Sequence, residues 1–175
     1  DIPEENAKWD YDRERMLYWE PPHEAWSETD YAKRYPVQLL SKGAKYKAHT
    51  GYTYCENLLE LSSEPYVAVN PDDALARGIG DGDYVRVFND RGDMTCQAYL
   101  SAGMRPGIIQ IEHGWMGEQF KEGHYSDLTS SFTRNVVGNN CWSDTMVEFE
   151  KVDVNAVVGS SENAVQTQDR ITVEA

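Results

Sequence analysis

The amino-acid sequence predicts an all-β fold, which we expect to be a barrel of about six strands with only short helices. Three observations favour this class: short apolar or alternating segments recur along the chain, turn sequences rich in Gly, Asn and Asp separate them, and no long helical pattern occurs. A closed barrel is favoured over a sandwich, a choice that periodicity alone leaves open.

The first half of the predicted barrel contains two strands and a short helix. Residues 35–41 and 66–69 are apolar runs of strand length. Asn70-Pro71 is typical of a helix start, because Asn caps free backbone amides and Pro fits the first helical turn. We expect this helix to span residues 72–77 and to end at Gly78, since glycine adopts the left-handed conformation that ends many helices.

The second half contains the other strands, which are joined by tight turns. Turn sequences at residues 80–83 and 89–92 flank a strand at 84–88, in which Val85 and Val87 alternate with polar or larger residues. The turn at 89–92 is interpreted as a structural hairpin. Further strands are predicted at residues 94–100, 107–112 and 145–152.

Composition divides the chain into three parts. Residues 1–34 are acidic and aromatic, and we expect them to pack as an arm on this domain or on a neighbour, since exposed aromatic rings gain little in water. Residues 35–152 are expected to form the barrel. Residues 153–175 are polar and are interpreted as a poorly ordered tail with one short strand at 171–173. The chain begins at Asp1, so we expect it to derive from a longer polypeptide.

The charge pattern singles out one segment. The chain has 16 bases and 30 acids, a net charge of −14, and such an acidic surface argues against non-specific nucleic-acid binding. Between Tyr31 and Cys55 there is no Asp or Glu, and this window contains Lys33, Arg34, Lys42, Lys45 and Lys47. Its five positive charges leave −19 on the rest of the chain. The window is expected to admit an anionic ligand, although a solvated lysine loop is the alternative.

Neither a metal site nor a membrane span is predicted from the sequence. Cys55, Cys96 and Cys141 lie far apart and form no CxxC motif, so they are interpreted as buried free thiols. The four histidines lack the spacing of metal ligands. No apolar run approaches the roughly 20 residues that cross a bilayer. We therefore expect a soluble chain, and its compartment, cytoplasm or periplasm, is left open.

Four motifs occur in a fixed order over residues 35–152. They are Tyr35-Pro36-Val37-Gln38-Leu39-Leu40-Ser41 with His49-Thr50, the segment 69–92, Arg105-Pro106-Gly107 with His113-Gly114-Trp115, and Leu128-Thr129 with Gly138-Asn139-Asn140. Together they resemble the C-terminal molybdopterin-dinucleotide-binding domain of the dimethyl sulfoxide reductase family of molybdenum and tungsten enzymes. The segment 69–92 alone is typical of any double-psi β-barrel, whereas the complete series is specific to this family.

The resemblance implies a six-stranded double-psi β-barrel with short helices that encloses the guanine dinucleotide and pterin of bis(molybdopterin guanine dinucleotide), bis-MGD. The candidate cofactor-binding residues are Ser41, Lys42, Gly43, Lys47, His49, Thr50, His113, Gly114, Trp115, Asn139 and Asn140. A pyrophosphate joined to polar heterocycles requires hydroxyls, amide donors and local positive charge. Many relatives have His and Arg where this chain has Gly43 and Lys47, which leaves open the side chain that contacts phosphate.

The resemblance further implies that this domain binds the cofactor and performs no catalysis on its own. The metal ligand and the substrate channel would belong to catalytic domains on the same chain or on another subunit, and an iron–sulfur subunit is a further candidate partner. The substrate, and molybdenum as against tungsten, stay open.

Two alternatives use the same fold differently. A protein-interaction module is favoured by the aromatic arm and the acidic surface. A self-contained small-molecule enzyme has less support, because no nucleophile–base pair is evident. His113-Gly114-Trp115 has an alternative of its own, a core tryptophan beside an ordinary turn.

Overall fold

The computed structural model describes residues 19–132 and 141–153. Within them the strands are β1 Val37–Lys42, β2 Tyr66–Val69, β3 Tyr84–Phe88, β4 Asp93–Leu100, β5 Ile108–Glu112, β6 Glu122–Gly123 and β7 Met146–Lys151. The helices are α1 Asp30–Arg34, α2 Glu56–Leu59 and α3 Pro71–Leu75, and there are 3₁₀ turns at Gly117–Gln119 and Tyr125–Leu128. No helix in these described ranges is long and apolar enough to cross a membrane.

Six of the strands form a closed ring. The hydrogen-bonded order is β2-β5-β1-β7-β3-β4, and β4 pairs again with β2, while β6 adds to the outer side of β4. The pairs β1–β5 and β2–β4 are parallel, and the other pairs of the ring are antiparallel. The predicted six-stranded double-psi β-barrel with short helices is therefore confirmed.

The interior of the ring is filled by alternate residues of the strands. In β3, Val85 and Val87 are fully buried, and the side chains between them are only partly so, as the alternating pattern predicts. Phe149 of β7 and Ile109 of β5 are likewise inaccessible to water. Each fully buried aliphatic side chain of this kind contributes about 1.5–3 kcal/mol to folding. The core thus fixes which face of each strand points inward.

The predicted helix after β2 is present but lies earlier in the chain than expected. Asn70 is its N-cap, and its side-chain oxygen accepts a 2.8 Å hydrogen bond from the Asp72 amide. The helix spans Pro71–Leu75 instead of 72–77, because its last turn tightens: the Arg77 amide donates to the Ala74 carbonyl, three residues back. Gly78 then takes φ +67°, as predicted for the residue that ends the helix.

Two short elements were missed from the sequence. The helix α2 has no side-chain cap at Cys55, and the two-residue strand β6 is exposed on both faces. Neither has the apolar periodicity or the capping residue that identifies such elements in a sequence. The strand predicted at residues 171–173 lies outside the described residues.

The described part of the N-terminal arm packs on this barrel. Glu24 is buried, and its carboxylate forms a bidentate ion pair with Arg91 of the β3–β4 hairpin. Trp19 and Trp26, by contrast, contact each other edge-to-face at 5.4 Å and stay exposed. Of the two surfaces that the sequence left open for residues 19–34, the structure therefore uses the barrel itself.

Candidate functional site

The parallel pairing of β1 and β5 brings two of the motifs together. Ser41 pairs with Ile111, and Lys42 pairs with Glu112, so both strands end at the same end of the barrel. Residues 41–50, here called the lysine turn, follow β1. Residues 113–115, here called the histidine–tryptophan bend, follow β5. Because parallel neighbours end side by side, these two segments are placed against each other although about 70 residues separate them in sequence.

Polar contacts join the lysine turn to the bend. The His113 amide donates to the Lys42 carbonyl at 2.9 Å, and the Ser41 hydroxyl lies 3.4 Å from His113 Nδ1. The imidazole rings of His49 and His113 stack with their centroids 5.2 Å apart. One hydroxyl and two imidazoles therefore face the same space, and all of them can hydrogen-bond an anionic or heterocyclic ligand.

Gly114 makes this close approach possible. It has φ +98°, and a Cβ built on it would lie 1.9 Å from the His49 carbonyl oxygen. On the other side, the Thr53 hydroxyl donates to the Gly114 carbonyl at 2.5 Å. The role that the structure gives Gly114 is thus backbone packing between the turn and the bend, since no side chain fits there.

Lys47 is the least compensated charge in this region. Its Nζ is buried, lies 2.8 Å from the centroid of the Trp115 ring, and has no hydrogen-bond partner among the described residues. Burial lowers the pKa of Lys47 to about 8, and the nearby Glu112 carboxylate opposes part of that shift. A desolvated ammonium without an acceptor is a preformed anion receptor, because an incoming anion restores the lost hydrogen bonds.

Glu112 modifies the charge pattern that the sequence suggested. Its carboxylate is buried and lies 3.3 Å from Lys42 Nζ, and the Tyr66 hydroxyl donates to it at 3.3 Å. Burial, reinforced by this carboxylate, raises the pKa of Tyr66. The lysine window contains no acid in sequence, yet β5 places one beside it in space. Lys42 is therefore already paired, which leaves Lys47 as the stronger anion receptor of the two.

A hollow of about 250 Å³ opens beside this contact region. Ser41 belongs to both, since it touches His113 and also faces the hollow. Apolar and aromatic side chains form most of the wall, and hydroxyls supply its polar groups. The lining residues are Leu39, Ser41, Ile111, Tyr125, Ser126, Thr129 and Trp142. The hollow can therefore accept a flat heterocycle and hydrogen-bond its edges.

The remaining predicted residues differ in what the structure says of them. Gly43 and Thr50 are exposed, and a Cβ at Gly43 would meet nothing within 4 Å, so protein packing does not require glycine there. Trp115 is 1% exposed and belongs to the hydrophobic core, as the alternative interpretation held. Asn139 and Asn140 lie outside the described residues, although Thr129 and Trp142, on either side of that segment, both line the hollow.

Sequence reasoning missed several residues of this region. Trp142 is 59% exposed and lines the hollow, as do Tyr125 and Ser126. A large aromatic residue shortly after the Asn139-Asn140 motif was the available signal for Trp142, because exposed indoles are favourable stacking surfaces. Glu112 had no such signal, since only the β1–β5 pairing places it beside the lysines.

The cysteines do not contribute a site here. All three are free; Cys96 is buried, and burial raises the pKa of its thiol to about 12. Cys55 and Cys141 are partly exposed, where the sequence predicted burial, because both lie in connecting segments outside the barrel core. In the ranges that the structure describes, no three His, Cys, Asp or Glu side chains are grouped to hold a metal ion.

Comparisons with known proteins agree with this geometry. The family model described as "Molydopterin dinucleotide binding domain" matches residues 37–146. The chain is 36% identical over 132 residues to the Halobacterium salinarum protein named "Putative dimethyl sulfoxide reductase catalytic subunit", covering 74% of this chain and 16% of that protein. It is 32% identical over 156 residues to the dimethyl sulfoxide/trimethylamine N-oxide reductase of Cereibacter sphaeroides, covering 79% of this chain and 19% of that protein.

A solved structure has the same fold. Acetylene hydratase from Pelobacter acetylenicus superposes with a TM-score of 0.65 and 19% sequence identity, over 78% of this chain and 21% of that one. The chain spans less than one fifth of the length of the two curated relatives. The family match nevertheless covers most of the barrel, from β1 to the start of β7. The chain thus belongs to the molybdopterin dinucleotide-binding domains of the dimethyl sulfoxide reductase family.

Proposed function

We propose that this chain binds the dinucleotide portion of a molybdopterin guanine dinucleotide, present as bis-MGD with molybdenum or tungsten, through the lysine turn, the histidine–tryptophan bend and Asn139-Asn140. The single observation that carries the proposal is the convergence of Ser41, Lys47 and His113 beside one hollow. This combination offers a hydroxyl, a cation and an imidazole to a ligand that is both anionic and heterocyclic.

The phosphate groups fit the Lys47 side of the site. A buried ammonium without an acceptor among the described residues is costly unless an anion approaches it. Lys47 would supply the charge, and the hydroxyls of Ser41 and Thr50 would supply neutral donors. Lys42 would contribute less, because Glu112 already pairs with it at 3.3 Å.

The heterocyclic end fits the hollow. Its volume of about 250 Å³ lies below the roughly 300–1,000 Å³ of pockets that hold a complete drug-sized ligand. It would therefore take one fused ring system, while the remainder of the dinucleotide stays along the barrel surface. Leu39 and Ile111 would contact the ring face, and Ser126 and Thr129 would bond its edge.

The chain's own part in the reaction is binding and enclosure. When bound, the cofactor supplies two-electron chemistry at its metal. Ser41 and the two stacked histidines would orient the ligand, and the apolar wall would exclude water from it. We place the metal ligand and the substrate channel in catalytic domains elsewhere in the parent oxidoreductase, on the same chain or another subunit, with an iron–sulfur subunit as a further partner. The division into residues 1–34, 35–152 and 153–175 stays a prediction.

Titration of the 175-residue chain with GDP by calorimetry tests the proposal. We expect Lys47→Met to weaken GDP binding by about ten- to a hundredfold, since a hydrogen bond to a charged group contributes about 1.5–3 kcal/mol. Lys45→Met is the matched control: Lys45 is exposed and lies over the Tyr46 ring, so its loss should change affinity less than about threefold. ADP in place of GDP tests whether the base is recognised.

The same variant gives a second readout through pH. Because burial lowers the pKa of Lys47 to about 8, GDP affinity of the wild type should fall as pH rises through 8, whereas Lys47→Met should lack that step. Between about pH 8 and 10.5 the unfolded chain keeps the Lys47 proton that the folded chain releases, so wild-type stability should rise relative to the variant. Equal GDP binding by wild type, Lys47→Met and Lys45→Met would contradict the proposal and favour the interaction module.

A further inference from the structure

A buried carboxylate of the arm connects two separate segments of the barrel. Glu24 is 4% exposed, accepts 2.8 and 3.0 Å hydrogen bonds from the Arg91 guanidinium, and accepts a third from the Met146 amide at 3.2 Å. Arg91 in turn donates to the Leu128 carbonyl through Nε and Nη2 at 2.9 and 2.6 Å. One ion pair therefore links the arm to residues 128 and 146 together.

A second carboxylate holds the arm from the opposite direction. Asp144 accepts from three successive amides of the arm, those of His23, Glu24 and Ala25, at 2.5, 3.0 and 2.7 Å. The His23 ring also stacks on Phe132 with 4.1 Å between centroids and 9° between planes. Three consecutive arm residues thus contact both the segment 125–132 and the segment 141–146.

These two segments form one wall of the hollow. Tyr125, Ser126 and Thr129 come from the first, and Trp142 comes from the second. The opposite wall, Leu39 and Ile111, belongs to the paired strands β1 and β5, whose position the barrel ladder fixes. The wall from 125–132 and 141–146 is mostly irregular chain, so its position depends on the side-chain contacts behind it.

We infer that the arm is a clamp that sets the position of this wall, with Glu24 and Asp144 as its positioning residues. Neither residue lines the hollow, so both act through the segments that they hold. The ligand whose affinity depends on the clamp is the dinucleotide of the proposed function, and in that respect the inference rests on it. Preorganising the wall removes an ordering cost that would otherwise weaken ligand binding.

Hydrogen exchange and GDP titration on the 175-residue chain test the clamp together. The variants are Glu24→Gln and Asp144→Asn, each close to the native shape. Asp30→Asn is the control, since Asp30 is a fully exposed arm carboxylate whose ion pair with Lys33 lies within α1. We expect faster exchange in segments 125–132 and 141–146 for the first two variants, a roughly tenfold loss of GDP affinity, and neither change in the control.

The outcomes distinguish a local clamp from a general stabilising role of the arm. Faster exchange confined to the two wall segments supports the clamp, and so does rescue of slow exchange by GDP. Unchanged exchange in those segments overturns it, as does an equal loss of protection throughout β3 and β4, which would mean that the arm stabilises the whole barrel. Asp144→Asn guards against failure of Glu24→Gln to fold, because its site is only part-buried. Absence of GDP binding by the wild type, with local exchange changes intact, contradicts the proposed function and leaves the clamp standing.

Discussion

At Gly114 the histidine–tryptophan bend meets the lysine turn with no space for a side chain. The left-handed φ and the proximity of the His49 carbonyl act together, since either alone disfavours a Cβ. His49 itself has φ +52°, which is uncommon for a residue with a side chain. Two unusual backbone conformations are therefore concentrated at the contact between the two motifs, where strain is compatible with a binding role.

Gly114→Ala is expected to destabilise the protein by more than about 2 kcal/mol, because the new Cβ would collide with backbone and the φ is unfavourable. Gly43→Ala is the matched control: its Cβ meets nothing within 4 Å, and its effect should stay within about 0.5 kcal/mol. Urea unfolding measures both. Similar midpoints for the two variants would show that the turn relaxes away from the bend without cost.

Lys47 and Glu112 show how a residue's role depends on its spatial neighbours. In sequence, Lys42 and Lys47 are equivalent members of an acid-free window. In space, Glu112 pairs with Lys42, and Lys47 lies over Trp115 with its ammonium unpartnered among the described residues. The two lysines thus differ in the one property that matters for anion binding, the cost of leaving the charge uncompensated.

At the scale of elements, α3 follows from local sequence chemistry. Asn70 bonds the Asp72 amide through its side-chain oxygen, and its side-chain nitrogen donates to the Met104 carbonyl at 2.7 Å. The same residue therefore starts the helix and connects it to the segment before β5. Sequence reasoning predicted the first function, because caps act within a few residues, and it had no access to the second.

Asn70→Ala should destabilise the protein by about 1–2 kcal/mol through the lost cap, with an added cost for the stranded Met104 carbonyl. Leu75→Ala, on the same helix but 78% exposed, should change stability by less than about 0.5 kcal/mol. Chemical denaturation monitored by circular dichroism compares the two. An Asn70→Ala effect no larger than that of Leu75→Ala would mean that the helix does not depend on its cap.

At the scale of the whole molecule, charge and fold oppose each other. A net charge of −14 on 175 residues repels itself, and the compact state concentrates that repulsion. Several ion pairs, such as Arg86 with Asp93 at 2.7 Å, reduce it locally. Partly exposed pairs of this kind contribute little individually, so a general repulsion is left uncompensated.

Sodium chloride should therefore raise the Tm at neutral pH, by about 2–4 °C for each kcal/mol of repulsion that screening removes. Scanning calorimetry at salt concentrations from low to about 1 M measures this, a range in which the screening length falls to about 3 Å. The control is the same series near pH 4.6, the isoelectric point, where the net charge vanishes. An equal rise at both pH values would assign the effect to general salting-out and contradict the electrostatic reason.

The sequence by itself determined the features that depend on neighbouring residues. It determined the strands that alternate, the Asn70 cap, the turns at 80–83 and 89–92, and the family, because each is written within a short stretch of chain. Only the tertiary structure decided the pairing of Lys42 with Glu112, the burial of Trp115 and the attachment of the arm through Glu24. Those contacts join residues about 70 to 120 positions apart, and no local pattern encodes which distant segments a closed ring of strands will bring together.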